Sequence, residues 1–258
     1  MRRKTVLTAV LAAVAVTLSG CGSRVDTTTG RPSGQTTEVV TSGDCAREQA
    51  LVRRALARST LRADVSGDGR LDTVATASDP QAAKPCRGFV GVRVQGGSTY
   101  STHLVPEAVP IKGLGAKIVG LPHLGDGSRA QIVVDTRAAV DSLLAQMFTL
   151  SGGRLRAVDV PGLEDGTFIV EGGGVIYPFG ASCTHSGRLV LSRATQTSGG
   201  TRYHVTRRSY VARGEPVRLV DPTVTRATVP VDELVARFAE FAGPHWAACG
   251  GTLRAGSA

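Results

Sequence analysis

The stretch Asp64-Val-Ser-Gly-Asp-Gly-Arg-Leu-Asp72 sets side-chain oxygens at positions 1, 3, 5 and 9, with Gly69 at position 6. Oxygens that alternate along a turn sharp enough to need glycine can converge on one point, and Ca²⁺ takes roughly six to eight oxygens at about 2.4 Å. The spacing predicts one structural Ca²⁺, with side chains from Asp64, Ser66, Asp68 and Asp72 and the backbone carbonyl of Arg70. An ordinary EF-hand is not expected: position 12 is Ala75 rather than a bidentate Glu, and Thr73 to Thr76 reads as a strand where a helix should follow. The competing reading is a solvated Asp/Gly turn without metal.

The second set of reactive atoms is sulfur. The chain has 5 cysteines, Cys21, Cys45, Cys86, Cys183 and Cys249. The last four are an even set, for which three connectivities exist. Cys45–Cys86 with Cys183–Cys249 is favoured, because each pair fastens one terminal helical region to the nearer part of the body. Each such bridge is worth about 4 kcal/mol on loop-closure arithmetic. No CxxC spacing offers a zinc site, and G-x-S-x-G, H-E-x-x-H and G-x-x-x-x-G-K-[ST] are all absent. The 5 histidines are scattered, so no catalytic residue is named. A cell-envelope hydrolase of unknown substrate is the alternative to a binding role.

Cys21 belongs to a different context. Arg2, Arg3 and Lys4 precede an uncharged, mostly apolar run from Val6 to Leu18, then small residues. This is the layout of a secretory signal. As a helix the run spans roughly 20 Å, short of the roughly 30 Å hydrocarbon core of a bilayer. Leu18-Ser19-Gly20-Cys21 resembles the lipobox of bacterial lipoproteins. The resemblance implies cleavage before Cys21 and acylation of that residue by a diacylglyceryl group, often with an amide-linked chain such as palmitate. It implies in turn a lipid bilayer as partner and the extracytoplasmic face of the cell membrane as location. Two or more acyl chains anchor stably where one does not.

Charge adds little. The net charge of +9 falls to +6 when Arg2, Arg3 and Lys4 leave with residues 1–20. Arginine far outnumbers lysine, the residue usage of a GC-rich, actinobacterial-type genome. A basic surface is attracted to anionic headgroups or wall polymers. Nucleic acid is excluded as a partner, because the chain is exported and its aromatics, 4% of residues, do not interleave with a basic stripe.

The elements that must position these groups follow from the pattern. Residues 21–43 hold the lipidated cysteine and a Ser/Thr/Gly-rich tether, which as a flexible coil spans roughly 25 Å. Residues 44–258 form one β-rich domain. Asp44 to Ser59 reads as a helix with Asp44 as cap and Cys45, Val52, Ala55 and Leu56 on one face. Pro230 to Ala242 reads as a second helix, with Pro in the first turn and Leu234, Phe238 and Phe241 on one face. Between them lie short β-type runs: Val74 to Thr76, Phe89 to Val94, Ile118 to Val119, Ile132 to Asp135, Met147 to Leu150, Phe168 to Val170, Gly174 to Tyr177, Arg188 to Leu191, Tyr203 to Arg207 and Arg218 to Val220. Gly172, Gly173 and Gly174 read as a hairpin turn.

The Asp64 loop and its strand also resemble FG-GAP (VCBS, integrin-type propeller) repeats, whose D-x-[DN]-x-D-G-x-x-D turn leads into a strand. Ser66 departs from that pattern. His123-Leu-Gly-Asp-Gly-Ser-Arg-Ala-Gln131 before Ile132 to Asp135 is a second copy, with Asp68 and Asp126 58 residues apart. It has His123 where Asp is wanted and Ala130 and Gln131 near the last ligand, so a structural turn alone is expected there. Glu164-Asp-Gly-Thr-Phe-Ile-Val170 is a weaker third. From Asp44 onward the chain has room for between three and four such units, fewer than a full propeller ring. The expected fold is therefore mainly β (α+β), with truncated propeller-like or sandwich-like antiparallel sheets flanked by an N-terminal and a C-terminal helix. The expected function is a membrane-anchored extracytoplasmic binding or scaffolding module, meeting an envelope protein or a wall polymer.

Overall fold

The computed structural model describes residues 39–40, 45–83, 86–104, 115–125, 129–136, 139, 141–163 and 166–250. Cys21, most of the tether, Asp44, Asp126 and the pair Glu164 and Asp165 lie outside them.

Helix α1 (Glu48–Arg58) has an acid in its first turn and a base in its last, which complements the helix dipole. Val52 and Leu56, one turn apart, are buried against Ala75, Ala77 and Phe89 of a sheet. The helix begins later than its pattern suggested because Cys45 to Arg47 forms a turn, closed by the Glu48 N–H donating to the Cys45 carbonyl at 2.9 Å. Cys45 is bridged there to Cys86, with Cα atoms 5.5 Å apart.

That first sheet has five strands: β1 (Val39–Val40), β2 (Arg62–Ala63), β3 (Asp72–Ser78), β4 (Gly88–Arg93) and β5 (Thr99–His103), in the order β1-β5-β4-β3-β2. Only the β1–β5 pairing is parallel. The second sheet comprises β6 (Lys117–Gly120), β7 (Ile132–Asp135), β8 (Ser142–Ser151), β9 (Arg154–Ala157), β10 (Phe168–Gly172), β11 (Phe179–Cys183), β12 (Arg188–Gln196), β13 (Arg202–Arg213) and β14 (Arg218–Pro230). Its order is β14-β13-β12-β11-β10-β8-β7-β6, with β9 branching from β8. The fold is mainly β and sandwich-like, and it is not a closed barrel.

Two cores explain why β7 and β8 are buried on both faces. Ile132, Val134, Phe148 and Leu150 join Val74, Val90 and Val92 between the two sheets. Val133, Ala145 and Met147, the alternate residues, join Phe168, Val170, Ala181, Leu189, Tyr210 and Trp246 on the other side. Strand alternation thus sends successive side chains of one strand into different cores.

The C-terminal helix is broken into a 3₁₀ turn Val231–Glu233, α2 (Leu234–Arg237) and a second 3₁₀ turn Ala239–Ala242, with Phe238 leaving helical geometry at φ −137° and ψ 80°. The break lets Leu234, Phe238 and Phe241 follow the sheet over Ala194, Tyr203, Val205 and Val229. It also buries Glu240, which accepts from Ser192 Oγ at 2.6 Å and from Arg207 Nε at 2.8 Å. Gly180 permits this seat, since a Cβ there would lie 2.3 Å from the Glu240 carbonyl oxygen. Beyond it, Cys249 is bridged to Cys183 of β11, with Cα atoms 5.9 Å apart.

One expected strand is a turn. Gly174 to Tyr177 caps the β10–β11 hairpin, because Gly172, Gly173 and Gly174 take positive φ values that reverse the chain. At the far edge, β14 carries Pro222 in the register shift between Ser209 and Val211 of β13 and ends at Pro230.

Candidate functional site

The Asp64 loop is held by its own backbone. Asp64 Oδ1 accepts the Gly67 N–H at 2.6 Å and Oδ2 the Gly69 N–H at 2.8 Å. Asp68 Oδ1 accepts the Arg70 N–H at 2.9 Å. Asp72 is fully buried: Oδ2 accepts from Val65 N at 3.0 Å and Ser66 N at 2.8 Å, and Oδ1 accepts from Gln95 N at 3.3 Å. These bonds answer the loop's amides with carboxylates, which shapes the turn without help from an ion. Carboxylate oxygens have more than one lone pair, so acceptor capacity remains. Ser66 Oγ is buried without a hydrogen-bond partner among the described residues, while Asp68 and Arg70 are exposed. Among the described residues no three His, Cys, Asp or Glu side chains gather around a common point.

The second loop is built on the same plan. Gln131 is buried, and its Oε1 accepts the Leu124 N–H at 2.8 Å. The two loops touch: the Ala130 N–H donates to the Asp64 carbonyl at 2.7 Å. Arg129 crosses Gly67, where a Cβ would meet its side chain at 2.5 Å, and donates to the Leu150 carbonyl and to Glu215. Through Asp64 and Gly67 the first loop therefore sits at a junction between the sheets.

The surface with the means to bind something lies elsewhere. Along β12, Leu191, Arg193 and Thr195 alternate on one face, and their partners on β13 are Arg208, Thr206 and His204. The opposite face is the one sealed by Glu240 and the C-terminal segment. The open face borders a groove of about 610 Å³ floored by Leu144, Phe168, Ile169, Phe179 and Leu191. Arg193 and Arg208 are exposed at its side, and no carboxylate lines it among the described residues. Arg193 lies over the rings of Tyr177 and Phe179, 5.9 and 5.8 Å from their centroids, which holds its guanidinium near the hairpin. His204 Nδ1 pairs with Thr228 Oγ1 at 3.0 Å, and Ser192 is committed to Glu240 across the sheet. A histidine and a serine border this groove, yet they are engaged on opposite faces. The arrangement can hold an anion beside an apolar moiety.

Sequence reasoning passed over Arg193, His204 and Arg208. The available signal was the alternation His204-x-Thr206-x-Arg208, a polar period of two on a strand with buried neighbours. Compared with protein-family models, curated proteins and solved structures, the chain matches none.

Proposed function

We propose that the protein is a membrane-anchored extracytoplasmic lipoprotein whose β domain is a binding module, with the open face of β12 and β13 as its binding surface. The observation that carries this reading is the juxtaposition of Arg193 and Arg208 with the apolar floor of one groove, on the face of β12 and β13 opposite the one that Leu234, Phe238 and Phe241 cover. The groove lies in the size range of ligand sites and combines apolar lining with few polar groups, as such sites do. Anchoring is supported by Leu18-Ser19-Gly20-Cys21, and an oxidising compartment by the Cys45–Cys86 and Cys183–Cys249 bridges. A structural Ca²⁺ held by Asp64, Ser66, Asp68, Asp72 and the Arg70 carbonyl is a subsidiary part of the proposal, supported by the unpartnered Ser66 Oγ. It would supply charge neutralisation and stiffness to the loop.

The test places a photo-crosslinking residue at Thr206, in the groove, and at Arg154, on a strand remote in sequence from it, in cells expressing the full chain. A discrete adduct at Thr206 and not at Arg154 is expected. Equal labelling at both positions, or at neither, overturns the groove as a binding surface. Cys21→Ser should release the chain from membranes, and unchanged retention and processing overturn the anchor.

A further inference from the structure

We infer that the groove takes an acidic membrane lipid, with its phosphate between Arg193 and Arg208 and an acyl chain along Leu144, Ile169 and Leu191. This inference rests on the proposed binding surface and names its ligand. Three observations carry it. The first is charge: two exposed guanidiniums stand at one side of the groove, and among the described residues no carboxylate pairs with either of them or lines the groove. Guanidinium groups recognise phosphate by paired donors at fixed geometry.

The second is the floor. Leu144, Ile169, Phe179 and Leu191 are half-buried and contiguous with the arginines, so a ligand that were only a polyanion would leave this apolar area wet. A molecule with an anionic head and a hydrocarbon chain satisfies both halves at once.

The third is the β10–β11 hairpin tip next to the groove. Val175, Ile176 and Tyr177 are three consecutive apolar residues with 76%, 51% and 47% of their surface exposed. They are not loosely held. Gln196 N–H donates to the Ile176 carbonyl at 3.0 Å, Ala194 N–H to the Pro178 carbonyl at 2.9 Å, and the Tyr203 hydroxyl donates to the Val175 carbonyl. A fixed tip that presents aliphatic and aromatic side chains beside an arginine has the chemistry of the bilayer interface, where aromatic rings and cation stems sit at headgroup depth. Arg193 links tip and groove, lying over Tyr177 on one side and lining the groove on the other. The tip rests on lipid and the groove beside it receives a lipid molecule.

The test uses the full chain carrying Cys21→Ser, so that its own acyl groups do not contribute. Calorimetry is run with dioctanoyl phosphatidylglycerol, dioctanoyl phosphatidylcholine and glycerol phosphate, all below micelle formation. Saturable binding of the acidic lipid is expected, with the zwitterionic lipid and the bare headgroup at least about tenfold weaker. Arg193→Gln combined with Arg208→Gln should weaken the acidic lipid by about tenfold or more with an unchanged melting temperature, both residues being exposed. Ile176→Ser should reduce co-sedimentation with phosphatidylglycerol vesicles while leaving binding of the short-chain lipid intact. Equal affinity for the two lipids, equal affinity for the bare headgroup, or indifference to the double substitution overturns the inference. A Thr206 crosslink to a protein or wall polymer without lipid binding overturns the lipid and leaves the binding surface standing. No crosslink and no lipid binding overturn both.

Discussion

Asp72 and Gln131 do the same work 59 residues apart: each is buried at the head of a strand and accepts the N–H of the residue seven positions before it, Val65 at 3.0 Å and Leu124 at 2.8 Å. Each closes a loop of equal span onto the following strand, β3 in one case and β7 in the other. The chemistry differs in strength. Asp72 offers two carboxyl oxygens and gathers two further amides, from Ser66 and Gln95, whereas Gln131 Oε1 answers one and its amide nitrogen donates to the Arg129 carbonyl at 3.1 Å.

Alanine at the two positions should therefore cost different amounts. Asp72→Ala strands three amide donors, at about 1 kcal/mol or more each, so a loss of about 3 kcal/mol or more is expected. Gln131→Ala strands one loop amide and should cost about 1–2 kcal/mol. Urea unfolding of the two variants measures the difference. Equal losses would show that Asp72 is no stronger a clasp than Gln131.

The calcium part of the proposal has its own readout. At the affinities of extracellular modules, about 10⁻⁴ to 10⁻³ M, 1 mM Ca²⁺ adds about 0.4–1.4 kcal/mol. The melting temperature in Ca²⁺ should then exceed that in EDTA by about 1–5 °C. Asp68→Asn should abolish the increment, because Asp68 is the exposed carboxylate of the set. Identical melting curves in EDTA and Ca²⁺ would remove the ion and leave the amide-bound turn.

Tyr210 gives a prediction at high pH. Its side chain is fully buried and its hydroxyl has no hydrogen-bond partner among the described residues. Burial raises its pKa above the ordinary 10.0, with the charge of Arg208 pulling part of the way back. Below pH 10 both folded and unfolded chains keep the proton. Above it the unfolded chain loses the proton first, so the unfolded state binds fewer protons and stability falls as pH rises. Tyr210→Phe should remove that part of the alkaline loss. At neutral pH it should stabilise by about 1 kcal/mol, since an unanswered buried hydroxyl disappears while the ring remains. Thermal melts from pH 8 to 11 on both chains make the comparison, and parallel curves would contradict it.

Much of the body was legible from local pattern. Ile132 to Asp135 is a strand with the expected bounds, and the cysteines pair as their proximity to the chain's two ends suggested. β2, β5, β9 and β11 were passed over because Arg62-Ala63, Thr99 to His103, Arg154 to Ala157 and Phe179 to Cys183 are short or rich in polar and small residues. They become strands because neighbours offer them a ladder, which is a tertiary fact. The C-terminal helix was over-extended for a related reason: its periodicity continues past Phe238, and the sheet beneath, through Arg207 and Gly180, decides where the backbone turns. The Asp64 cluster was conspicuous as oxygen spacing, yet spacing alone does not say that Asp72 turns inward to clasp amides. The groove was hidden most deeply. Arg193 meets Arg208 only through the register of β12 on β13, and a shift of one residue would send either arginine to the sealed face.

The prolines of β14 acquire a meaning once the chain is pictured on a surface. On the proposed anchor, copies share one bilayer and meet edge-on far more often than in free solution. An open outer strand is a template for a neighbour's backbone, and proline withholds the N–H such pairing needs. Pro222 interrupts β14 where its register on β13 slips, Pro230 closes it, and Arg218 and Arg226 set like charges along the same rim. The larger sheet thus ends in a border where Pro222 and Pro230 withhold two of the N–H groups that edge-to-edge pairing with a second copy would use.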